Sequence, residues 1–428
     1  MQVITNPARE NWQSLLKRPV FESEFLRSTV SNILDRVKSS GDKALFEFNE
    51  KFDGAYINHL ETSQEEIQKG ISAVDDELKE AIQKAASNIK RFHEAQKREV
   101  IKVETMPGVT CWRQSVPIEK VGIYIPGGTA PLFSTVLMLA IPANLAGSKE
   151  IILCTPPDKE GSVNPVILYT AHLVGVTRIF KIGGAQAIAA MAYGTESIPK
   201  TYKIFGPGNQ YVTEAKQQVA LEGTAIDMPA GPSEVAIIAD ETSDASFIAA
   251  DLLSQAEHGV DSQVILFCTN EEKVMQVNKE VKSQVQQLPR KEMAQQSLRS
   301  SKAFIVENID TAVEMSNTYA PEHLIVCVED SLKVANQITN AGSVFIGELT
   351  PESAGDYASG TNHTLPTNGA ARSYSGVSLD SFMKQITYQS LTEAGLRKLG
   401  PVVETMADAE LLVAHKNAVS IRLDKIGR

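Results

Sequence analysis

Cysteine is scarce in this sequence: four residues in 428, at Cys111, Cys154, Cys268 and Cys327, with no CxxC pair. A chain of this length has a large core available to it and needs no disulfide framework. Three of the four fall in apolar, strand-like runs, where a thiol behaves as a small hydrophobe. Long apolar runs are missing too. The most apolar stretch, Ser134-Thr-Val-Leu-Met-Leu-Ala-Ile141, stops at Pro142 and is too short to span a bilayer. The amino end, Met1-Gln-Val-Ile-Thr-Asn-Pro7, has neither the basic flank nor the apolar run of a signal peptide. A cytoplasmic, reducing location is therefore expected. Positive charge is in deficit: 41 Lys and Arg stand against 52 Asp and Glu, a net charge of −11. A general nucleic-acid binder needs a basic surface, so that class is set aside.

What is present is an ordinary globular balance, 43% hydrophobic and 22% charged, in a chain long enough for two or three domains. Residues 1–116 read as a polar, helical N-terminal region. Helices are expected over 22–37 and 43–52, broken at Ser39-Ser-Gly-Asp42. Ser63-Gln-Glu-Glu66 matches a capping box and opens a long helix to about Arg98. His59 and His93 in this region read as surface or packing residues.

From about residue 117 the texture changes to short β-branched runs separated by amphipathic helical stretches. Runs such as Val121–Ile125, Ile151–Cys154 and Arg178–Ile182 form a first α/β lobe, 117–228. The pattern repeats from Val235–Ile238 through Ser343–Ile346 in a second lobe, 229–378. The alternation indicates open, mostly parallel sheets covered by helices. The fold class is thus α/β, with two Rossmann-like but incomplete parallel-sheet lobes and helical extensions at both ends. The lobes join near Asp227-Met-Pro-Ala-Gly-Pro232, a link that suits a ligand cleft. Gly347 to about Tyr374 lacks periodicity, and loops of that length are often functional. The tail, 379–428, returns to helix.

Four of the seven histidines follow residue 250. In Asp251-Leu-Leu-Ser-Gln-Ala-Glu-His-Gly259, Gln255 and His258 are three apart and share a helix face. Both could reach one metal ion, although the stretch also suits a capped helix with His258 at the pole that favours cations. Glu322 and His323 stand just before a strand-like run, two proton-transfer groups of different basicity, or else an exposed loop pair. Asp356 sits in a Gly-Asp-Tyr loop and could simply close an Asx-turn. His415 follows Leu411 and Leu412 on a helical stretch, and Glu410 is five residues earlier, off its face. Glycine turns at Tyr124-Ile-Pro-Gly-Gly128, Gly183-Gly-Ala-Gln186 and Gly206-Pro-Gly-Asn209 each link a strand to a helix, as phosphate sites do. None fits GxGxxG, so a standard dinucleotide fingerprint is excluded.

Ala225-Ile-Asp-Met-Pro-Ala-Gly-Pro-Ser-Glu234, followed by Leu252-Leu-Ser-Gln-Ala-Glu-His-Gly259, resembles the signature region of the histidinol dehydrogenases. Tyr124-Ile-Pro-Gly-Gly, Phe205-Gly-Pro-Gly-Asn, Pro321-Glu-His and Ala414-His-Lys-Asn-Ala418 fall in that family's order, over nearly the full chain. The resemblance implies an aldehyde-dehydrogenase-like arrangement and NAD-linked oxidation of L-histidinol to L-histidine through L-histidinal. It implies one zinc ion per subunit held by Gln255, His258, Asp356 and the His415 of a partner, hence a homodimer with an intertwined tail. Glu322 and His323 would be the acid–base pair. Ser233, His363 and Glu410 would contact substrate beside the metal ligands and His323. Tyr124, Gln186 and Asn209 would line the NAD site. A zinc hydrolase using Glu322 as base, and a two-lobed metal-binding protein without catalysis, remain as rivals on the residues alone.

Overall fold

A computed structural model describes residues 1–18, 24–127, 130–228 and 231–427, which fall into two compact units. The expected helix start at Glu22, the second glycine of the first turn (Gly128), and Pro229-Ala230 of the link lie outside these residues. The first unit comprises 1–95 and 118–382, the second 96–117 and 383–428.

Two parallel sheets organise the first unit. The smaller has the order Arg178–Lys181, Glu150–Thr155, Lys120–Tyr124, Lys203–Phe205, Ala225–Ile226. The larger has the order Gln2–Thr5, Lys302–Ile305, Gln263–Cys268, Glu234–Ala239, His323–Cys327, Ser343–Ile346. Glu234–Ala239, Gln263–Cys268 and His323–Cys327 are buried along their whole length. Helices cover both faces of such a sheet, which is why these strands read as continuous apolar runs rather than alternating ones. Some of the connecting helices start on side-chain caps: in the smaller sheet Asn209 accepts from the N–H groups of Tyr211 and Val212, and in the larger Asp244 from those of Ser246 and Phe247.

Within residues 1–95 the chain departs from its helical reading in two places. Gln2–Thr5 is a strand at the edge of the larger sheet, paired in parallel with Lys302–Ile305. The long helix expected from Ser63 is two, Gln64–Ala73 and Asp76–Glu94, because Asp75 caps a new start by accepting from Leu78 N–H at 2.8 Å. Gly41, at φ 51° and ψ −134°, breaks the preceding helix where the sequence placed a break. A helix at Lys291–Ser300 was not expected at all.

The second unit is built from two distant segments. Val109–Pro117 is the centre of a three-stranded antiparallel sheet, between Lys102–Met106 and Met383–Leu391. The tail is therefore not wholly helical. Helices Glu393–Ala409 and Val413–Lys425 follow the strand and pack on each other, with Leu423 against Gly400.

Candidate active site

In the larger sheet the predicted residues gather at the amino ends of strands, opposite to where ligands sit in most open α/β sheets. His323 opens its strand and Glu322 precedes it, while Ser233 precedes the neighbouring strand Glu234–Ala239. Helix Ala245–Ala256 runs back toward that edge, so Gln255 in its last turn and His258 just beyond it arrive there. Asp356 comes from the short helix Glu352–Tyr357 inside the aperiodic stretch, which is thus partly helical.

His323 is the hub. Its Nε2 lies 3.3 Å from Asp356 Oδ1, misaligned for a hydrogen bond, and its Nδ1 lies 3.6 Å from Glu322 Oε2. The same Nδ1 is 3.2 Å from the Glu234 carbonyl and 3.3 Å from Gln255 Nε2. Glu322 Oε2 accepts from the Glu234 N–H at 2.9 Å. Burial pushes the Glu322 carboxyl up to about 8, against the pull of His323. For His323 burial alone would favour the neutral ring, but Glu322, Asp356 and Glu352 together raise it to about 10. Asp356 moves down: burial opposes its charge, and the neighbouring His323, with His363 and His258, outweighs that. His258 is surface-accessible, yet enough protein crowds it that desolvation lowers its basicity despite the attraction of Asp356.

His363 stands close by, its ring already engaged. Nδ1 donates to the Asp356 carbonyl at 2.7 Å, which leaves Nε2 to accept from the Thr135 hydroxyl at 3.0 Å. A substrate contact at His363 has to replace Thr135. Glu410 and His415 belong to the second unit, at the end of one tail helix and the first turn of the next.

Among the described residues no three His, Cys, Asp or Glu side chains stand close enough to hold a metal. The first unit supplies His258 and Asp356, with an amide as its third candidate. Two of the three carry an orphan: Gln255 Oε1 and Asp356 Oδ1 are buried and accept no hydrogen bond. Buried acceptors without a donor are rare, and a cation is one group that satisfies them. Two oxygens and an imidazole suit zinc.

In the smaller sheet the glycine turns lie at the carboxyl ends of the strands. A Cβ at Gly206 would strike the Tyr124 carbonyl at 2.1 Å, and one at Gly127 the Pro156 ring at 2.2 Å. Those glycines are required by packing of the protein on itself. Lys216 steadies the Gly206 turn, donating to its carbonyl at 2.9 Å while paired with Asp227, whose other oxygen accepts from Gly206 N–H. Tyr124 is buried and its hydroxyl accepts from Gly184 N–H at 3.1 Å, at the start of helix Gly184–Tyr193. The N-cap residue, Gly183, has no side chain to add to that contact, and Gln186 sits buried in the first turn. A helix start with a glycine at its N-cap, at a strand's carboxyl end, fits an anionic ligand such as a dinucleotide phosphate. Asn209 is committed to its cap.

The sequence reading missed Glu352, Glu234, Arg18 and Thr135. Glu352 had a signal, since it precedes Asp356 by one helical turn in Pro351-Glu-Ser-Ala-Gly-Asp356. Arg18 had none. It reaches Glu234 across 216 residues, donating from Nη2 to Oε2 at 2.7 Å.

A family model described as histidinol dehydrogenase matches residues 16–423. A histidinol dehydrogenase of Bacteroides thetaiotaomicron is 59% identical over 426 residues, covering the whole of both chains. One from Haemophilus influenzae is 53% identical over 97% of this chain and 96% of its own. The crystal structure of histidinol dehydrogenase from Elizabethkingia anophelis superposes with a TM-score of 0.98 at 56% identity, covering 100% of this chain and 99% of that one. Among the described residues no helix is long and apolar enough to cross a membrane. With relatives of this identity matched end to end, the chain belongs to the histidinol dehydrogenase family of oxidoreductases.

Proposed function

We propose that the protein is a zinc-dependent, NAD-linked enzyme that oxidises L-histidinol to L-histidine through L-histidinal, at the close of histidine biosynthesis in the cytoplasm. The observation that carries this reading is the pair of unpartnered oxygens, Gln255 Oε1 and Asp356 Oδ1, on either side of the buried His323 beside Glu322. Zinc held by Gln255, His258, Asp356 and the His415 of a second copy would grip the imidazole and amine nitrogens of the substrate and orient its carbinol carbon. NAD, on the 117–228 lobe near Tyr124, Gln186 and Asn209, would accept a hydride in each of the two oxidations.

The chain's own groups supply the proton transfers. Once Asp356 turns to the cation, one of the carboxylates that favour a protonated His323 is drawn away, and the neutral ring takes the hydroxyl proton in the first oxidation. Glu322 then removes a proton from water as it attacks the aldehyde, and the resulting hydrate is the substrate of the second oxidation. Ser233, His363 and the second copy's Glu410 would contact substrate, within a 229–378 lobe completed by the 379–428 tail of that copy. Exposure of Val402, Met406 and Val413 on the tail helices, and of Leu411 and Leu412 in the turn between them, supports a homodimer, since exposed apolar surface marks an interface.

The test is direct. Purified protein given L-histidinol, NAD and zinc should produce about two NADH per substrate, and prior chelation should abolish this until zinc is returned. Hydrolysis of a substrate without NADH formation would point instead to the metal hydrolase reading.

A further inference from the structure

Gln255 presents a choice that burial does not make for it. The two arms of an amide are alike in shape and opposite in hydrogen-bonding character, so the neighbours decide which arm faces where. Here Nε2 donates to Glu352 Oε1 at 2.8 Å, and Oε1 is left buried with no donor. The opposite orientation would set the amide oxygen against a carboxylate oxygen, acceptor on acceptor. Glu352 is itself fixed: it is 1% exposed, and the Ser254 hydroxyl donates to the same Oε1 at 2.8 Å. It also shares the short helix Glu352–Tyr357 with Asp356, so one element carries the orienting carboxylate and a candidate ligand.

We infer that Glu352 is a positioning residue for the metal, holding the Gln255 amide with its nitrogen turned away so that Oε1 is presented to the cation. The zinc assignment proposed above is presupposed. Glu352 touches neither substrate nor reacting atoms in this role. Its effect passes through Gln255, as partners that orient metal ligands commonly do.

The experiment measures zinc binding by the chelator-stripped, full-length protein, in competition with a chromophoric chelator and without substrate or NAD. Glu352→Leu keeps the volume and removes the acceptor, and should weaken zinc binding about 10- to 100-fold. Glu352→Gln keeps an acceptor oxygen and should stay within a few-fold of native. The deciding arm repeats Glu352→Leu in a Gln255→Glu background. A carboxylate offers an oxygen on both arms and needs no orienting, so there the same substitution should cost less than about threefold. Glu352→Ala replaces the leucine variant if the latter does not fold, judged by circular dichroism. An equal loss in both backgrounds, or no loss in the native one, overturns the inference while leaving zinc binding intact. Native protein that takes up no zinc would instead overturn the metal assignment itself.

Discussion

The backbone N–H of Glu234 donates to Oε2 of Glu322 at 2.9 Å, so one strand aims the carboxylate that precedes its neighbour. The side chain of Glu234 points the other way in function. It is held by Arg18, whose guanidinium also lies 3.9 Å from the Tyr319 ring centroid, and it accepts from Asn368 N–H at 2.8 Å. One buried carboxylate thereby ties the amino-terminal segment and the 347–374 stretch to the strand that orients Glu322.

Arg18→Met should leave the Glu234 carboxylate buried without its counter-ion. Breaking such a pair from one side costs about 3–5 kcal/mol. Urea unfolding of the variant should show that loss, and an unchanged midpoint would mean the carboxylate is protonated or solvated there.

Glu322→Gln should separate the two oxidations. Water activation needs the carboxylate, whereas the first proton goes to His323, so turnover of supplied L-histidinal should fall about 10²- to 10⁴-fold and the first NADH far less. Equal losses in both half-reactions would remove Glu322 from the water-activating role.

A metal shared between subunits predicts complementation. Mixed in equal amounts under subunit exchange, His258→Asn and His415→Asn proteins, each inactive alone, form heterodimers in which one of two sites is intact. Half the dimers and half their sites give roughly a quarter of native activity. Exchange confirmed by mass spectrometry with no recovery would place all ligands in one chain.

Thiol chemistry should prove dispensable. Burial pushes Cys268 up to about 11 and Cys327 up to about 12, and raises Cys154 further still, so none of these offers a thiolate at neutral pH. Alkylation of the native protein, or Cys111→Ala, should leave NADH formation within about twofold of the untreated rate. Stoichiometric loss of activity with modification of one cysteine would revive covalent catalysis.

Asp251 gives a pH signature in stability. Burial raises its carboxyl from 3.8 to about 7. The folded chain keeps a proton that the unfolded chain releases, so stability declines as pH rises between those values. Asp251→Asn should therefore raise the thermal midpoint near pH 8 and change it little near pH 4. A gain confined to the acidic measurement would reverse the sign and refute the assignment.

The parallel sheets were legible because strands buried on both faces must be apolar without interruption, as Gln263–Cys268 is. Lys102–Met106 and Met383–Leu391 were not, since they are exposed almost throughout and carry mixed polar sequences that any loop or helix would tolerate. Gln2–Thr5 is only four residues long, and its pairing with Lys302–Ile305 across 300 residues leaves no local trace. In the site the chemistry-bearing residues stood out as histidines beside glycine or carboxylate. Their supports did not, because Arg18 and Glu352 acquire meaning only through contacts that the folded chain creates.

Met383–Leu391 pairs with Val109–Pro117 along its whole length. A ribosome adding about 5–20 residues per second needs roughly 14 to 55 seconds to travel from one strand to the other. Throughout that interval the nascent chain carries an open β edge, the kind of surface on which neighbouring polypeptides zip together. Yield in a host cell should therefore hinge on whatever shields residues 109–117 until the carboxyl terminus emerges.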